Sequence, residues 1–221
     1  LGRWDAQGKS RPIPISNVPF FALGSWMLCV GWFGFNVMSA ATISGISGLV
    51  AVNSLMAMVG GILVALWISK NDPGFIHNGA LAGLVSICAG SDKVHPLGAL
   101  IIGGLAGAIF VKGFTWEQEK LKIDDVLGVW PLHGICGSWG GIACGIFGQE
   151  SLGGLGGVSI LAQIIGSVAA IVIALTSGFI VYKTLDSLFG IRLEADEEMK
   201  GSDLTIHKLE SYPEDVTSRF S

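Results

Sequence analysis

The sequence predicts an all-α protein, a polytopic membrane helix bundle with about six transmembrane helices. Of its 221 residues, 51% are hydrophobic and only 14% are charged, whereas soluble domains average about 25% charged residues. The chain therefore lacks the polar residues that would cover a soluble domain of this size. In addition, residues 12–69 contain no Asp, Glu, Lys or Arg, and residues 126–182 contain only Glu150. Each of these stretches is long enough for two membrane-spanning helices of about 20 residues.

The composition excludes several other classes of protein. The 33 glycines follow no collagen-like period, and the apolar content is too high for a disordered chain. The 13 Lys and Arg residues are scattered beside 17 Asp and Glu residues, so no basic face for nucleic acid is expected. What remains is a protein whose main partner is the lipid bilayer.

The apolar stretches define the six helices in order. The first two fill the first uncharged stretch, the third is short and rich in small residues, and the fourth lies between charged loops. The last two fill the second uncharged stretch, and the sixth is long enough to span with tilt. All must be helical, because lipid offers the backbone no hydrogen-bond partners. The spans are placed at about 17–38, 48–69, 75–91, 96–114, 126–148 and 156–189.

The charges outside the spans predict the orientation of the chain. We expect residues 1–16 to be a remnant of a cytoplasmic loop, residues 17–190 to form the transmembrane region and residues 191–221 to form a cytoplasmic tail. Twelve of the 13 Lys and Arg residues then lie on the cytoplasmic side, and only Lys93 lies outside, as the positive-inside rule favours. This predicts a multi-pass protein of the inner (plasma) membrane. Because the chain does not begin with Met, we also expect it to be part of a longer protein.

Glycine spacing predicts close packing between the helices. Gly103 with Gly107, and Gly137 with Gly141 and Gly145, form small-xxx-small pairs. Such pairs let helix backbones approach closely in a membrane. The spacing predicts a compact bundle, although any single pair is also compatible with ordinary structural packing.

His133 is the first candidate functional residue. An ionisable side chain within a membrane span is costly and points to function by default. It follows Asp125 by eight residues, about 12 Å along a helix, which places it near the middle of the bilayer. With no carboxylate on the same helix face, we expect a neutral imidazole that donates from one nitrogen and accepts at the other. That chemistry suits a small polar solute or a proton relay, while a histidine that only bonds a neighbouring helix remains the alternative.

Trp32, Phe35 and Ser39 share one face of the first predicted helix, with Ser39 at its outer end. Two aromatic rings and a hydroxyl at a pore mouth could hold a cation by cation–π contact and hydrogen bonding. An interfacial aromatic belt with helix packing is the other interpretation.

The remaining polar residues predict no cofactor, metal site or enzymatic chemistry. We expect His77 to be interfacial, His95 to be solvated in an outer loop, and Asp124 and Asp125 to cap the fifth helix. No nucleotide-binding or peptidase motif is present. The four cysteines lie in apolar segments and are expected to pack as small hydrophobic side chains rather than form disulfides or bind zinc. They are Cys29, Cys88, Cys136 and Cys144.

Four stretches of the sequence resemble the ammonium transporter (Amt/Mep/Rh) family, in its bacterial Amt branch. NVPFFALGSWMLCVGWFGFNVMSA resembles the sixth span of that family, NGALAGLVSICAG the eighth, and DDVLGVWPLHGICGSWGG the tenth with its histidine-glycine signature. EADEEMKGSDLTIHKLESYP is similar to the cytoplasmic C-terminal motif. The resemblance covers nearly the whole chain.

The resemblance implies an eleven-helix protomer that assembles as a homotrimer, with one pore per protomer. In this family two inverted repeats of five spans build the pore, a common design among transporters. This chain would supply the second repeat, the last helix and the tail. The implied function is channel-like transport of ammonium or ammonia across the membrane, by a protein that is not an enzyme.

The resemblance also implies roles for individual residues. Ser39 matches the serine of the outer ammonium-recruitment site, Phe35 matches one of the phenylalanines that close the outer vestibule, and Trp32 matches the tryptophan of the GWFGFN motif. His133 matches the second histidine of the pore. Gly128 departs from the family pattern, because many members carry an acid five residues before this histidine.

The resemblance extends to the tail, where it implies a regulatory segment. Gly201, Asp203 and Thr205 lie in it, and Thr205 matches a threonine that plant members phosphorylate. A cytoplasmic nitrogen-regulatory protein of the PII type is the partner that the resemblance implies. Two alternatives remain open at this point: an ammonium sensor or regulatory scaffold coupled through the tail, and a truncated fragment with no function of its own.

Overall fold

A computed structural model describes residues 7, 15, 17–40, 47–201 and 203–209 of the chain. Most of the predicted loop over 1–16, and the predicted tail beyond residue 209, lie outside these described residues. The described part is all-helical and contains no strand, so the predicted fold class is confirmed. Its α-helices are α1 (Val18–Ser39), α2 (Ser47–Ser69), α3 (Pro73–Ile87), α4 (Pro96–Trp116), α5 (Cys136–Phe147), α6 (Ile160–Phe189) and α7 (Ala195–Lys200).

Local signals in the sequence explain where several helices begin. Asn17 accepts a hydrogen bond from the Phe20 amide at the start of α1, with an Oδ1–N distance of 2.9 Å. Asp72 does the same for the Phe75 amide at the start of α3. Proline in the first turn of α1 and α3 suits these caps, because it has no amide hydrogen to leave unpaired.

The centre of the bundle is formed by α2, α3 and α4, which pack without bulky side chains between them. A Cβ on Gly103 of α4 would overlap the Ala57 carbonyl of α2, and one on Gly107 would lie 2.6 Å from the Gly61 carbonyl oxygen. A Cβ on Gly145 of α5 would lie 2.7 Å from the Ile160 Cα of α6. The close approach that the glycine pairs predict is therefore present at these positions.

The helices differ in their fit to a bilayer. Among the described residues, α1, α2, α6 and the continuous helix Pro96–Leu121 are long and apolar enough to cross a membrane. By contrast, α3 has 15 residues, which is about 22 Å and shorter than a typical hydrocarbon core. Because residues 79–87 of α3 are all buried, this helix is sheltered by its neighbours along that stretch. The count of six complete spans stays a prediction.

Two π turns flank the loop between α4 and α5. The first, Glu117–Leu121, extends α4, and the second, Trp130–Ile135, leads into α5. Isolated π turns in helices are often found at functional sites. The second one carries His133, so the backbone is irregular at the residue that the sequence singles out.

Candidate functional site

The structure brings three of the four predicted pathway residues together in a row of rings. The Trp32 and Phe35 rings of α1 have centroids 5.5 Å apart. On its other side, Trp32 stacks on His133 of the second π turn, with centroids 5.9 Å apart and an interplanar angle of 30°. These residues are about a hundred positions apart in the chain, and the sequence pattern alone does not predict their contact.

Ser39 lies at the end of the same helix face. It is the last residue of α1 and is exposed, one turn beyond Phe35. Phe35 itself is 56% exposed. The face continues in the other direction as an open apolar groove, whose lining residues are Gly24, Met27, Leu28, Gly31, Trp32 and Phe35. This face of the described residues is therefore apolar and open on one side.

Cys88 holds the Trp32 ring in place. The indole Nε1 donates a hydrogen bond to the Cys88 Sγ at 3.0 Å, and the thiol donates in turn to the Leu84 carbonyl oxygen at 3.2 Å. The sequence predicts that all four cysteines are packing residues. Cys29, Cys136 and Cys144 are buried, although the Cys136 Sγ also donates to the Ala106 carbonyl oxygen at 3.4 Å. Cys88 is a polar partner of Trp32 as well, and no local pattern predicts this contact.

The turn that carries His133 begins at an acidic cap. Asp125 accepts a hydrogen bond from the Trp130 amide, with an Oδ2–N distance of 2.8 Å, which confirms the predicted capping role of this acid. Pro131 and Leu132 are buried beneath the turn, whereas His133 is exposed. The imidazole is therefore exposed, like the Phe35 ring.

The backbone conformation and the crowded surroundings of Gly128 account for its departure from the family pattern. Its φ angle is +70°, a left-handed conformation that side chains disfavour. A Cβ there would lie 2.7 Å from Phe114 and 2.9 Å from Phe110. An acidic side chain at this position would therefore need a different backbone conformation.

Two further histidines have structural contacts. His77 lies edge-on to Phe21 and Trp26 of α1, with ring centroids 5.8 and 6.4 Å away. His95 is exposed, as expected for a loop residue, but it is more than a solvated side chain. Its Nδ1 accepts from the Leu97 amide at 3.2 Å and caps α4, a role that the sequence analysis missed although a residue before Pro96 is a typical cap position.

The described part of the tail contains α7 and a third π turn. Gly201 follows α7 with a φ angle of +89°, as is common for the residue that ends a helix. The third π turn, Asp203–His207, comes next. The Thr205 hydroxyl donates to the Gly201 carbonyl oxygen at 2.6 Å, so this hydroxyl is engaged with the backbone in the present conformation.

The described residues contain no group of three or more His, Cys, Asp or Glu side chains that could hold a metal ion. The site therefore consists of aromatic rings, a hydroxyl, a thiol and one imidazole. Such a set can hold a small cation against aromatic faces and can exchange a proton at a single nitrogen.

Comparisons with known proteins match this chain along nearly its whole length. The model of the Ammonium Transporter Family matches residues 1–212. Ammonium transporter Amt2 of Methanocaldococcus jannaschii is 45% identical over 209 residues, which are 93% of this chain and 50% of that protein. The ammonium transporter of Bacillus subtilis is 32% identical over 213 residues, covering 90% of this chain and 52% of its own length.

Solved structures give the same match. A structure described as a sensor Amt protein superposes with a TM-score of 0.84 at 30% identity, covering 94% of this chain and 53% of its own. The crystal structure of Candida albicans Mep2 superposes with a TM-score of 0.75 at 27% identity, over 86% of this chain and 46% of its own. The chain thus spans about half the length of the relatives it matches.

Proposed function

Because this chain belongs to the ammonium transporter family, we propose that it forms one half of a transmembrane pathway for ammonium or ammonia. Residues 17–190 would be the membrane part of that half, between a cytoplasmic loop over 1–16 and a cytoplasmic tail over 191–221. The observation that carries the proposal is the row formed by Phe35, Trp32 and His133 along one open face. Members of this family move a solute across a membrane and are not enzymes.

The proposed mechanism is capture of a cation followed by loss of its proton. The Ser39 hydroxyl and the ring faces of Phe35 and Trp32 hold ammonium at the outer end by hydrogen bonding and cation–π contact. A bare cation is too costly to move through an apolar passage, whereas ammonia is not. His133 lies one ring further along the row and is the group that can accept and pass on the proton.

The assembly and its partners belong to the same proposal. We place the protein in the inner (plasma) membrane with its C-terminus in the cytoplasm, since this orientation leaves only Lys93 of the Lys and Arg residues outside. The complete protein would be a homotrimer. The ordered tail segment around Gly201, Asp203 and Thr205 would be the contact for a cytoplasmic regulatory protein of the PII type.

One observation favours a second function, that of an ammonium sensor. The structural similarity extends to a protein described as a sensor Amt protein, and α7 with the third π turn gives the tail a defined structure. In that case occupancy of the pathway would be signalled through the tail. Deletion of the segment from residue 195 onwards distinguishes the two functions. A transporter should keep ammonium uptake after the deletion, whereas a sensor should lose its cytoplasmic response.

The test of the proposed pathway is His133→Ala in the complete protein. We expect selective uptake of labelled ammonium, normalised to the amount of folded protein, to fall by about tenfold or more, as when a positioned proton-transfer group is removed. His95→Asn is the matched control, since it replaces an exposed histidine by another capping residue. A His133→Ala protein that still takes up ammonium selectively over potassium would contradict the role of this residue.

A further inference from the structure

The turn that joins α3 to α4 (residues 88–95, the α3–α4 turn) has a buried centre although it is not helical. Gly90 is buried, and Ser91 and Val94 are each only 1% exposed. Buried carbonyl groups need hydrogen-bond donors within the protein, because water does not reach them. The position of this turn therefore depends on the donors that neighbouring helices supply.

Asn53 of α2 is such a donor. Its Nδ2 donates to the Ser91 carbonyl oxygen and to the Val94 carbonyl oxygen, each at 2.8 Å. The side chain has no exposed surface, and its Oδ1 atom has no hydrogen-bond partner among the described atoms. Because a buried acceptor without a partner is costly, the two donated bonds account for the presence of an asparagine in this apolar helix.

The α3–α4 turn begins at the cysteine that holds the Trp32 ring. Cys88 is its first residue, and the Gly90 amide donates to the Ile87 carbonyl oxygen at 3.0 Å across it. The Cys88 Sγ accepts from the Trp32 Nε1 at 3.0 Å. On the same ring, Trp32 stacks on His133. A shift of the turn would therefore move the sulfur atom relative to the indole.

We propose that Asn53 is a positioning residue for Trp32: by fixing the α3–α4 turn, it holds the Cys88 Sγ where this atom accepts from the indole. The series of contacts runs from α2 through the turn to α1 and ends at the ring stacked on His133. Since Asn53 has no exposed surface, it acts through these contacts alone. Its importance for transport rests on the proposed function, whereas the contacts do not.

Cysteine modification of the purified complete protein tests this series without a measurement of transport. Asn53→Leu removes both donors at a similar side-chain volume. We expect N-ethylmaleimide to modify Cys88 about tenfold faster in this variant, as for a turn released from two hydrogen bonds. The buried Cys29 and Cys136 should keep their rates, which mass spectrometry of the digested protein reads separately. An unchanged rate at Cys88, or an equal rise at all three cysteines, would overturn the proposal.

Gln149 offers a matched control. Its Nε2 donates to the Gly145 carbonyl oxygen at 2.9 Å and to the Val158 carbonyl oxygen at 3.2 Å, so it fixes the segment between α5 and α6 in the same manner. We expect Gln149→Leu to leave the modification rate of Cys88 unchanged, and a rise equal to that in Asn53→Leu would contradict the proposal.

A milder pair of substitutions serves if Asn53→Leu does not fold. Asn53→Gln and Gln149→Asn each keep the amide and displace it by one methylene group. Faster modification of Cys88 in Asn53→Gln alone would support the proposal. The same rate in both variants would contradict it.

A double-mutant cycle separates positioning from a merely structural role. We expect Asn53→Leu to lower ammonium uptake per folded molecule severalfold, but to cause no further loss in a Cys88→Ala protein, because the bond to Trp32 is already absent there. Losses that multiply in the double variant would show that Asn53 acts by another route. If the unmutated protein moves no ammonium, the proposed function fails, whereas the modification of Cys88 still decides the role of Asn53.

Discussion

Among the individual residues, Trp32 connects the two elements that carry the candidate pathway. Its ring stacks on His133 and lies tilted against Phe35, and its indole nitrogen donates a hydrogen bond to Cys88. A tryptophan within a bundle needs a partner for its N–H group. The thiol of α3 meets that need and thereby fixes the ring against the imidazole.

This contact predicts that Cys88 matters for transport as well as for packing. In Cys88→Ala the Trp32 N–H group loses its acceptor, and we expect the free energy of unfolding to fall by about 1–3 kcal/mol and ammonium uptake per folded molecule to fall with it. Cys88→Ser keeps an acceptor and should retain most of the uptake. Thermal unfolding in detergent and uptake by cells measure the two effects.

Cys29→Ala is the control for the volume that this substitution removes. Cys29 is buried in the core cluster that also contains residues of α3, but the hydrogen bond of the Trp32 Nε1 goes to Cys88. We expect Cys29→Ala to lower the free energy of unfolding but not ammonium uptake per folded molecule. Equal losses of uptake in Cys29→Ala and Cys88→Ala would mean that the thiol at residue 88 acts only by filling space.

At the scale of elements, residue spacing predicts the packing of α2 against α4 but does not predict the conformation of the loop before α5. The helix pair is held by backbone contacts at Gly103 and Gly107, a pattern that small-residue spacing predicts. The loop depends on one conformation that spacing does not predict, the left-handed Gly128. The Leu132 amide donates to the Gly128 carbonyl oxygen at 2.9 Å, so this conformation continues directly into the turn of His133.

We therefore predict that Gly128 tolerates no side chain. Gly128→Ala must accept both the unfavourable φ angle and the overlap with Phe114, and the overlap alone should lower the free energy of unfolding by about 1–3 kcal/mol. Gly157→Ala is a matched control, because Gly157 has a φ angle of +71° but open space around it. Thermal unfolding should show a larger loss of stability for Gly128→Ala than for Gly157→Ala. Equal losses of stability would assign the effect to the backbone conformation alone.

For the whole molecule, α1 and α6 are the least covered of the four long apolar helices. Only 11% of the apolar segment of α1 and none of that of α6 is buried, compared with 44% for α2. Phe35, Ser39 and His133 all lie exposed. A passage that excludes water needs a wall on both sides, whereas the described residues leave this face uncovered.

This geometry predicts that the chain alone conducts no ammonium. Cells that express residues 1–221 by themselves should take up a labelled ammonium analogue at the background rate, since the pathway residues would be open to lipid. Cells that co-express the half of a matched relative that has no counterpart in this chain should show higher uptake if the two halves assemble. Uptake by the chain alone, lost on His133→Ala, would instead mean that copies of this chain form a closed passage among themselves.

Much of this protein could be predicted from its sequence. Long uncharged stretches locate membrane helices because charge is excluded from lipid over about 20 residues at a time, and a lone histidine in such a stretch stands out for the same reason. Motifs around Trp32 and His133 identified the family, which the comparisons confirmed. These are local properties, and a linear pattern is enough to find them.

What only the tertiary structure decided are the contacts that support the site. The Trp32 indole bonds to Cys88 across 56 positions, Glu117 of the helix end is buried, and Gly128 has a positive φ angle beside two phenylalanine rings. None of these has a periodic signature, because each depends on how helices distant in the chain come together. The sequence by itself determined the all-helical fold class and the family and singled out His133 as an ionisable residue in an apolar stretch. The packing of α1, α3 and α4 decided which rings and turns lie around that residue.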